Sequence, residues 1–338
     1  MIEIPDSPIA AVRKRPAMYF GDRGAHGIEH LVLEIIGNAL DEHLAGRAHR
    51  LDVTADNSGW ITIEDDGGGL DLVGAPGASR PRFFDIFESR HSTPTLDAHV
   101  PHVHVTRRID ALGVMICNAG SERFEVTTVR NGRQWNLAYE KGRLVSELRE
   151  SPVTRPSGTR IRLRPDGEIF AEGRLDLPSL ESHLRDLAWL SPALAWSLNG
   201  RSLQQPRGLQ SKVEMLLDSE LCEGSSLWFQ ERVGDIEVDI ALAARGRGPA
   251  ILQSYVNHFR TESGVHRTGV TQALTSVPNW DSFGIACVVH LGLQSPRFEG
   301  PTRAVLANAE VTPIIFEVLI RELRRSPWWR ERLAPEAV

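Results

Sequence analysis

Four polar side chains recur along one predicted helix at intervals that place them on the same face. They are Glu34, Asn38, Asp41 and Glu42, and residues three, four, seven or eight apart share one side of a helix. Their neighbours are apolar, and a carboxylate held beside an amide on a buried helix is unfavourable unless something binds there. An Asn oxygen suits a hard cation such as Mg²⁺, and a carboxylate one turn earlier could deprotonate a water molecule. By spacing alone, a polar stripe that faces solvent is the simpler interpretation.

A second group of candidates closes a predicted strand, in the run Asp65-Asp66-Gly67-Gly68-Gly69. Consecutive glycines let the backbone approach a ligand closely, and a carboxylate at a strand end is well placed to accept a hydrogen bond from an amine. Taken alone, the run is more typical of a flexible turn after an edge strand. The pair Gly158-Thr159, which leads into a later strand, indicates little by itself.

Composition and charge exclude several classes of protein. The 338 residues are 41% hydrophobic and 24% charged, which predicts a globular chain of two domains. With 38 basic and 44 acidic residues, the net charge of −6 argues against a surface built wholly to grip a polyanion, although a local basic groove is compatible with it. Three scattered cysteines support neither a disulfide framework nor a cysteine zinc site. The sequence shows neither a signal pattern nor an apolar stretch of about 20 residues, so we expect a cytoplasmic protein without membrane contact.

The elements that must position these residues follow from hydrophobic periodicity. A helix over 27–46 presents a broad apolar face, and two strands after it are joined by the turn at 56–59. Residues 71–106 show no clear periodicity, which is typical of a functional lid or a mobile segment. The strands are predicted at 51–55, 60–65, 124–130, 133–140, 160–164, 236–243 and 285–293, and the further helices at 112–118, 179–190, 269–275 and 311–325.

A polar stretch at 199–208 marks the predicted domain boundary. We therefore expect one α+β domain at 1–204 and a smaller α+β domain at 205–338.

In their order and spacing, these pieces resemble the GHKL ATPase superfamily. The opening run Val12 to Asp22, VRKRPAMYFGD, narrows the resemblance to the ATPase half of the DNA gyrase B subunit and its topoisomerase IV relatives. Common alternatives are absent from the sequence, since it has no GxxxxGK[ST], HExxH or GxSxG motif. Further matching segments lie at 34–46, 65–70, 157–165, 254–257, 264–269 and 296–303.

The resemblance implies an antiparallel sheet covered on one face by helices, with ATP and Mg²⁺ bound between the helices and a mobile lid, followed by a transducer domain. By position, Glu34 matches the general base and Asn38 the Mg²⁺ ligand, while Arg303 lies where the family's transducer lysine reaches the γ-phosphate. The cofactor-binding residues it implies are Asn38, Asp41, Asp65, which receives the adenine amino group, Gly67, Gly69, Gly113 and Thr159.

Several positions depart from the family pattern. Where the family has a glycine-rich run around the phosphates, this chain has residues 107–112, and only Gly113 fits. Arg107 and Arg108 could replace backbone donors by charge, whereas Asp110 would repel a γ-phosphate. The lid lysine has no clear equivalent at 91–95, and Pro301 stands where the family has glutamine. Only eleven residues precede Val12, so we expect the exchanged N-terminal arm of the gyrase dimer to be largely missing.

Two functions fit this pattern. The first is a stand-alone module that binds ATP and Mg²⁺, hydrolyses ATP slowly, closes as a homodimer and acts with DNA or a DNA-processing protein. We expect no DNA cleavage from it, because the chain stops after the transducer and before a metal-binding cleavage domain. The second is a nucleotide sensor without catalysis that regulates a partner, which could be gyrase itself.

Two other groups of residues admit a functional and a simpler interpretation. His91, His99, His102 and His104 could hold a metal, but solvated loop histidines are the simpler interpretation. Residues 321–330 mix cations with Trp328 and Trp329, which suits nucleic acid or a protein partner. For this stretch we favour a helix end whose tryptophans cover the domain.

Overall fold

The computed structural model describes residues 7–74, 77, 79–89, 113–171, 173–218, 221–299 and 303–333. These residues form two units. The first contains the described residues up to Ala188 together with Ala193–Gln204, and the second contains Trp189–Pro192 and the described residues from Gln205 onward.

The first unit is a large sheet with helices packed on one face. Its helices are α1 Pro8–Lys14, α2 Pro16–Phe20, α3 Ala25–Leu44, α4 Phe83–Glu88, α5 Val114–Gly120 and most of α6 Leu177–Leu190. Its strands are β1 Arg50–Ala55, β2 Ile61–Asp65, β3 Ser121–Arg130, β4 Arg133–Glu140, β5 Arg143–Leu144, β6 Arg149–Pro152, β7 Gly158–Pro165, β8 Ala195–Leu198 and β9 Arg201–Ser202.

The strand order in this sheet is β5-β4-β3-β7-β2-β1-β8-β9, with β6 beside β4. All pairs are antiparallel except β1 with β8, which run parallel. Strand β7 shows why one face is covered, because Ile161 and Leu163 are buried while the three arginines that alternate with them, at 160, 162 and 164, stay accessible. The predicted α+β class and sheet-and-helix sandwich are confirmed.

Helix α3 occupies the centre of the helical layer. Its apolar residues recur at helical spacing, and most of them are buried against the sheet and the neighbouring helices. The start of the helix is fixed by Asp22, whose carboxylate accepts the backbone N–H groups of Gly24 at 2.7 Å and Gly27 at 2.9 Å. The buried apolar residues of α3 are Ile28, Leu31, Val32, Ile35, Ile36, Ala39 and Leu40.

Two arginines near the start of the chain have an architectural role in this structure. Arg13 donates to the carbonyl of Ala119, at the end of α5, at 2.8 Å and to the carboxylate of Asp166 at 2.6 Å. Arg23 donates to the carbonyl oxygens of Glu168 and Ile169, each at 2.7 Å. These two arginines therefore hold α1 and the segment before α3 against the end of α5 and the loop after β7.

The second unit contains a smaller sheet between two helical layers. Its helices are α7 Gly208–Leu217, α8 Val265–Leu274, α9 Val311–Arg325 and α10 Pro327–Arg330. Its strands are β10 Leu227–Val233, β11 Ile236–Ala244, β12 Ile251–Val256, β13 Phe259–Arg260, β14 Ser263–Gly264, β15 Ile285–Leu293, β16 Phe298–Glu299 and β17 Val305–Leu306. Within the described residues, five strands form the order β10-β11-β15-β12-β13, and β14-β17-β16 form a separate small sheet. Apolar residues of α8 and α9 pack on one face of the larger sheet and those of α7 on the other.

Two expectations from the sequence need correction. The stretch 71–106 is not wholly irregular, since α4 lies within it and buries Phe83 and Phe87. The Phe87 ring lies 5.8 Å from that of Phe124 and 5.9 Å from that of Tyr139, between centroids, so tertiary packing stabilises a helix too short to show periodicity. Helix α7 also begins where the polar composition predicted only a domain boundary.

The two tryptophans of α10, the short helix that follows α9, have a structural role, as favoured from the sequence. Trp329 is fully buried, and its indole N–H donates to the carbonyl of Ser225 at 2.8 Å. The guanidinium of Arg332 stacks over Trp328 at 3.7 Å from the ring centroid. Among the described residues, no helix is long and apolar enough to cross a lipid bilayer.

A buried carboxylate joins α3 to α6. Glu29 is 3% exposed and accepts hydrogen bonds from the Ser179 hydroxyl, at 2.9 Å, and from the His183 ring. The hydrogen bond to Glu29 raises the pKa of His183 above its usual 6.5. Because the folded pKa is raised, the stabilisation is complete below pH 6.5 and is lost as the pH rises through that folded value.

We therefore expect His183→Gln to lower the free energy of unfolding more at pH 6 than at pH 9. The difference should be about 1 kcal/mol or less, because His183 is half exposed and solvent screens the pair. Urea unfolding followed by circular dichroism at the two pH values measures it. The matched control is His26→Gln, an exposed histidine in the first turn of α3. An equal pH dependence in both variants would contradict the assignment.

Candidate functional site

The polar face of α3 lies at the edge of the buried core. Glu34, Asn38 and Asp41 are all partly buried, which excludes a stripe exposed wholly to solvent. The carboxylate of Glu34 lies 3.7 Å from Nε2 of His30, one turn earlier. Burial, and after it the negative charge of Glu34, raises the pKa of the buried Cys117 thiol on α5. Glu34 is thus a carboxylate with a histidine beside it and limited access to water.

Glu42, at the end of α3, is held differently. Its two carboxylate oxygens accept Nε and Nη2 of Arg47 at 2.8 and 2.9 Å, and one of them also accepts the backbone N–H of Gly68 at 2.8 Å. Burial favours the neutral acid, but the hydrogen bonds from Arg47 and Gly68 outweigh it and hold the pKa of Glu42 below its usual value. Glu42 is therefore a structural anion that ties the helix to the glycine turn.

The two adjacent aspartates at the end of β2 have separate tasks. Asp65 Oδ1 accepts the backbone N–H of Gly67 at 2.8 Å, and the Thr159 backbone also donates to this carboxylate. Burial raises the pKa of Asp65 to about 7, and the neighbouring charges of Glu42 and Asp66 act in the same direction. Asp66 instead accepts two backbone N–H groups at the start of β1, from His49 at 2.7 Å and Arg50 at 2.8 Å. Asp65 is the carboxylate available to a ligand, and Asp66 anchors the strand.

The turn after Asp65 requires glycine at defined places. Gly69 has φ +74°, and a Cβ there would lie 2.1 Å from the carbonyl oxygen of Val129. A Cβ on Gly67 would lie 2.8 Å from Asp65 Oδ1 and 3.0 Å from the side chain of Glu42. The turn is therefore packed between Asp65, Glu42 and the end of β3, and side chains at Gly67 and Gly69 would clash with these groups.

Strands β2, β7 and β3 complete this end of the site. Asp65 pairs with Thr159 across β2 and β7, and the hydroxyls of Thr128 and Thr159 lie 3.5 Å apart. The Thr128 hydroxyl accepts the backbone N–H of Leu70 at 2.7 Å, which holds the far side of the glycine turn. The β-sheet register thus brings Asp65, the turn and Thr159 together at one end of the sheet.

Most of the predicted residues converge in the first unit. Asp65, Gly67, Gly69 and Thr159 form one end, and the contact of Glu42 with Gly68 places the polar face of α3 beside it. A helix rises 1.5 Å per residue, so Glu34, eight residues before Glu42, lies about 12 Å from it along the helix axis. The site is therefore elongated, with Asp65 at one end and Glu34 at the other.

Gly113 and Arg303 are placed separately. Gly113 caps α5 with φ 58°, and α5 packs on α3 through Cys117, whose thiol donates to the Leu31 carbonyl at 3.3 Å. Arg303 belongs to the second unit, where it is buried with φ 54°. The structure does not group it with the residues of the first unit.

Sequence reasoning missed three residues of this region. His30 could have been found, because it lies four residues before Glu34 on the same helical face. Arg47 and Arg130 carry no such signal. Arg47 contacts Glu42 from beyond the end of the helix, and Arg130 contacts the Gly68 and Gly69 carbonyls from a distant strand, so no spacing in the sequence indicates either contact.

The structure does not test the hypothesis of a histidine metal site. Among the described residues, no three His, Cys, Asp or Glu side chains are grouped as metal ligands. His91, His99, His102 and His104 lie outside the described residues, as do residues 107–112 of the predicted lid.

Comparison with known proteins agrees with this geometry. No family model matches the chain. The DNA gyrase B subunit of Staphylococcus aureus is 29% identical over 350 aligned positions, and that of Staphylococcus epidermidis is 30% identical over 349. Each alignment covers 94% of this chain, which spans about half the length of these relatives, at 54%.

Solved structures extend the likeness to the fold. The 43K ATPase domain of Thermus thermophilus gyrase B, crystallised with an aminocoumarin, superposes with a TM-score of 0.81 at 26% identity, covering 98% of this chain and 96% of that one. The predicted resemblance to the ATPase and transducer region of gyrase B is confirmed. The ATP-binding domain of Francisella tularensis topoisomerase IV has the same fold, with a TM-score of 0.76 at 23% identity and coverage of 98% and 94%.

The close packing of the turn generates a direct prediction. Gly69→Ala should lower the free energy of unfolding by about 2 kcal/mol or more, because the methyl group clashes with Val129 at a positive φ. Gly59→Ala is the matched control, since Gly59 also has positive φ but nothing lies within 4 Å of its Cβ position. Urea unfolding of both variants measures the difference. Equal losses would show that φ alone, and not the packing of the turn, decides the effect.

Proposed function

We propose that the first unit binds ATP with Mg²⁺ and hydrolyses the nucleotide slowly. The observation that carries this proposal is Asp65: a recessed carboxylate beside a glycine turn, opposite a helix whose polar face continues for about 12 Å. A purine at one end and phosphates at the other would match that length. The likeness to gyrase B ATPase domains supports the same assignment.

At the base end, Asp65 would accept a hydrogen bond from the adenine amino group. The backbone of Gly67 and Gly69, which carries no side chains, would lie against the ring. The Thr159 hydroxyl, beside that of Thr128, would support water that bridges to the base. All of these groups belong to strands and one turn of the first unit, so we expect their arrangement to be formed before a ligand binds.

At the phosphate end, the donor set of α3 fits a hard cation. The partly buried side chain of Asn38 offers an amide oxygen, with Glu34 one turn before it on the helix and Asp41 about one turn after it. Oxygen ligands of this kind suit Mg²⁺. When bound there, the cation would neutralise phosphate charge. Asp41 and the backbone at Gly113 would line the same part of the pocket.

Glu34 would act as the general base. Its carboxylate would take a proton from the attacking water as the water oxygen bonds to the γ-phosphorus and the bond to the bridging oxygen of ADP breaks. His30, 3.7 Å away, would orient the carboxylate. Arg303 would supply a cation for the γ-phosphate, because a guanidinium can bind two phosphate oxygens.

We also propose that nucleotide binding closes two copies of the chain as a clamp and that DNA or a DNA-processing protein is the partner. Support for this part comes only from the resemblance to gyrase B subunits. This chain spans about half of their length.

A nucleotide sensor is the second candidate, and a feature of the sequence favours it. Residues 107–112 carry side chains where the related enzymes have glycines around the phosphates. Such a chain would bind ATP and change the behaviour of a partner, which could be gyrase, without turnover.

Mg²⁺-dependent ATP turnover distinguishes the two candidates. Wild-type protein should hydrolyse ATP, and Glu34→Gln should lower kcat by about 10²- to 10⁴-fold with little change in Kd, because the base acts on water and not on the bound nucleotide. Phosphate release at matched nucleotide occupancy measures it.

Glu181→Gln is the control, since this carboxylate pairs with Arg185 on α6. ATP binding without turnover in the wild type would favour the sensor. Turnover that survives in Glu34→Gln would contradict the role of Glu34.

The Asp65 carboxyl predicts a pH dependence of binding. Its pKa in the free protein is about 7, and the charged carboxylate accepts an amino hydrogen more strongly than the neutral acid does. ATP affinity should therefore fall as the pH drops below about 7, by at most about tenfold per unit, and binding near pH 6 should release a proton from the carboxyl. Titration calorimetry between pH 5.5 and 8.5, in buffers of different ionisation enthalpy, measures both effects.

Asp65→Asn should weaken ATP binding and abolish the slope, because the amide does not titrate in this range. Asp66→Asn is the matched neighbour. An unchanged slope in Asp65→Asn would assign the titration to another group.

A further inference from the structure

The glycine turn is held from both sides by charged groups. On one side, Glu42 accepts the Gly68 N–H, and Arg47 grips both carboxylate oxygens. The Glu42 side chain is 14% exposed and that of Arg47 34%, so the pair is largely shielded from solvent. The charge-assisted hydrogen bonds of this pair are strong and directional, and they restrict the position of the turn. Arg47 follows α3, so this contact also ties the helix end to the turn.

On the other side, Arg130 at the end of β3 donates to the turn's carbonyl oxygens. Its Nη1 lies 3.1 Å from the Gly69 oxygen and 3.4 Å from the Gly68 oxygen. The N–H of Gly68 and the carbonyls that follow it are thus bound by groups from different elements. Three glycines in sequence would otherwise sample many conformations.

We propose that Arg47 and Arg130 are positioning residues for base recognition: through Glu42 and the turn carbonyls, they hold the Gly67–Gly69 backbone in the shape that lets Asp65 discriminate adenine from guanine. This inference rests on the proposed nucleotide site. It assigns specificity to two residues that need not touch the ligand.

The geometry explains how the effect reaches Asp65. Gly67 lies between the two carboxylates: a Cβ on it would be 2.8 Å from Asp65 Oδ1 and 3.0 Å from Glu42 Cβ and Cγ. A shift of Glu42, which is held by Arg47 and Gly68, therefore also shifts the Gly67 N–H that donates to Asp65. A displacement of the turn lengthens the hydrogen bond that orients the carboxylate.

Charge acts through the same contacts. Asp65 is faced by Glu42 from α3, by Asp66 from its own segment and by the Gly67 and Thr159 N–H groups, while Arg47 and Arg130 act on Glu42. Without Arg47, the negative charge of Glu42 is uncompensated and disfavours a second anion at Asp65. A protonated Asp65 can donate to the guanine oxygen, so discrimination against guanine decreases.

The test compares ATP and GTP binding across pH in the full chain by titration calorimetry with Mg²⁺. Arg47→Met and Arg130→Met remove the charges but keep apolar stems. Arg47→Lys keeps the charge without the two-pronged geometry, and Glu42→Gln removes the anion. Arg50→Met is the matched control, because Arg50 forms an exposed ion pair with Asp52 three residues after Arg47.

At pH 7.5, Arg47→Met and Arg130→Met should weaken ATP binding about tenfold, leave GTP binding within about twofold and so reduce the preference for ATP. The pH midpoint of ATP binding should rise in Arg47→Met and fall in Glu42→Gln, while Arg47→Lys should keep the wild-type midpoint. General loosening of the fold would not move the pH midpoint in opposite directions in Arg47→Met and Glu42→Gln. The two conservative variants keep the test valid if a methionine variant does not fold.

Unchanged ATP preference and midpoint in the Arg47 and Arg130 variants would overturn the inference while leaving the nucleotide site intact. Equal losses in Arg50→Met would overturn it too, because a general charge effect would then explain them. Absence of ATP binding in the wild type would overturn the proposed function and, with it, this inference.

Discussion

The burial of one face of α3 is the constraint on which the first unit depends. Seven apolar side chains of this helix are buried, so rotation about its axis would expose part of the core. The helix is also fixed at its start by Asp22, in its first turns by Glu29 against α6, and at its end by Glu42 against Gly68. With rotation and translation both determined, Glu34 and Asn38 occupy the boundary between core and solvent.

Carboxylates take different roles here because their burial, their partners and the charges around them differ. Asp66 and Glu42 are tied up by strand and turn amides and by Arg47, so their charge is stabilised and serves the fold. Asp65 shares its surroundings with two other carboxylates, and burial makes its charged form less favourable. A ligand that donates a hydrogen bond would relieve this unfavourable burial, which is why Asp65 and not Asp66 suits recognition.

Much of the fold could be predicted from the sequence because its signals are local. The apolar periodicity of α3, the alternation in β7 and the turn between β1 and β2 each depend on neighbouring residues. The short helix α4 could not be found, since its stability comes from contacts of Phe87 with β3 and β4. Of the site, Asp65 and Glu34 were identified by family resemblance, whereas Arg47 and Arg130 act through contacts that leave no local pattern.

The two candidate functions share one end of the site and differ at the other. The proposed base recognition would depend on the sheet, the glycine turn and the arginines around it, all within the first unit. Such a recess would serve an ATPase or a sensor equally well. Glu34 and His30 are different, because a partly buried carboxylate beside a histidine contributes little to folding, and desolvating it is unfavourable. A sensor has no need of this pair, so its presence favours hydrolysis even where the sequence has lost the glycines around the phosphates.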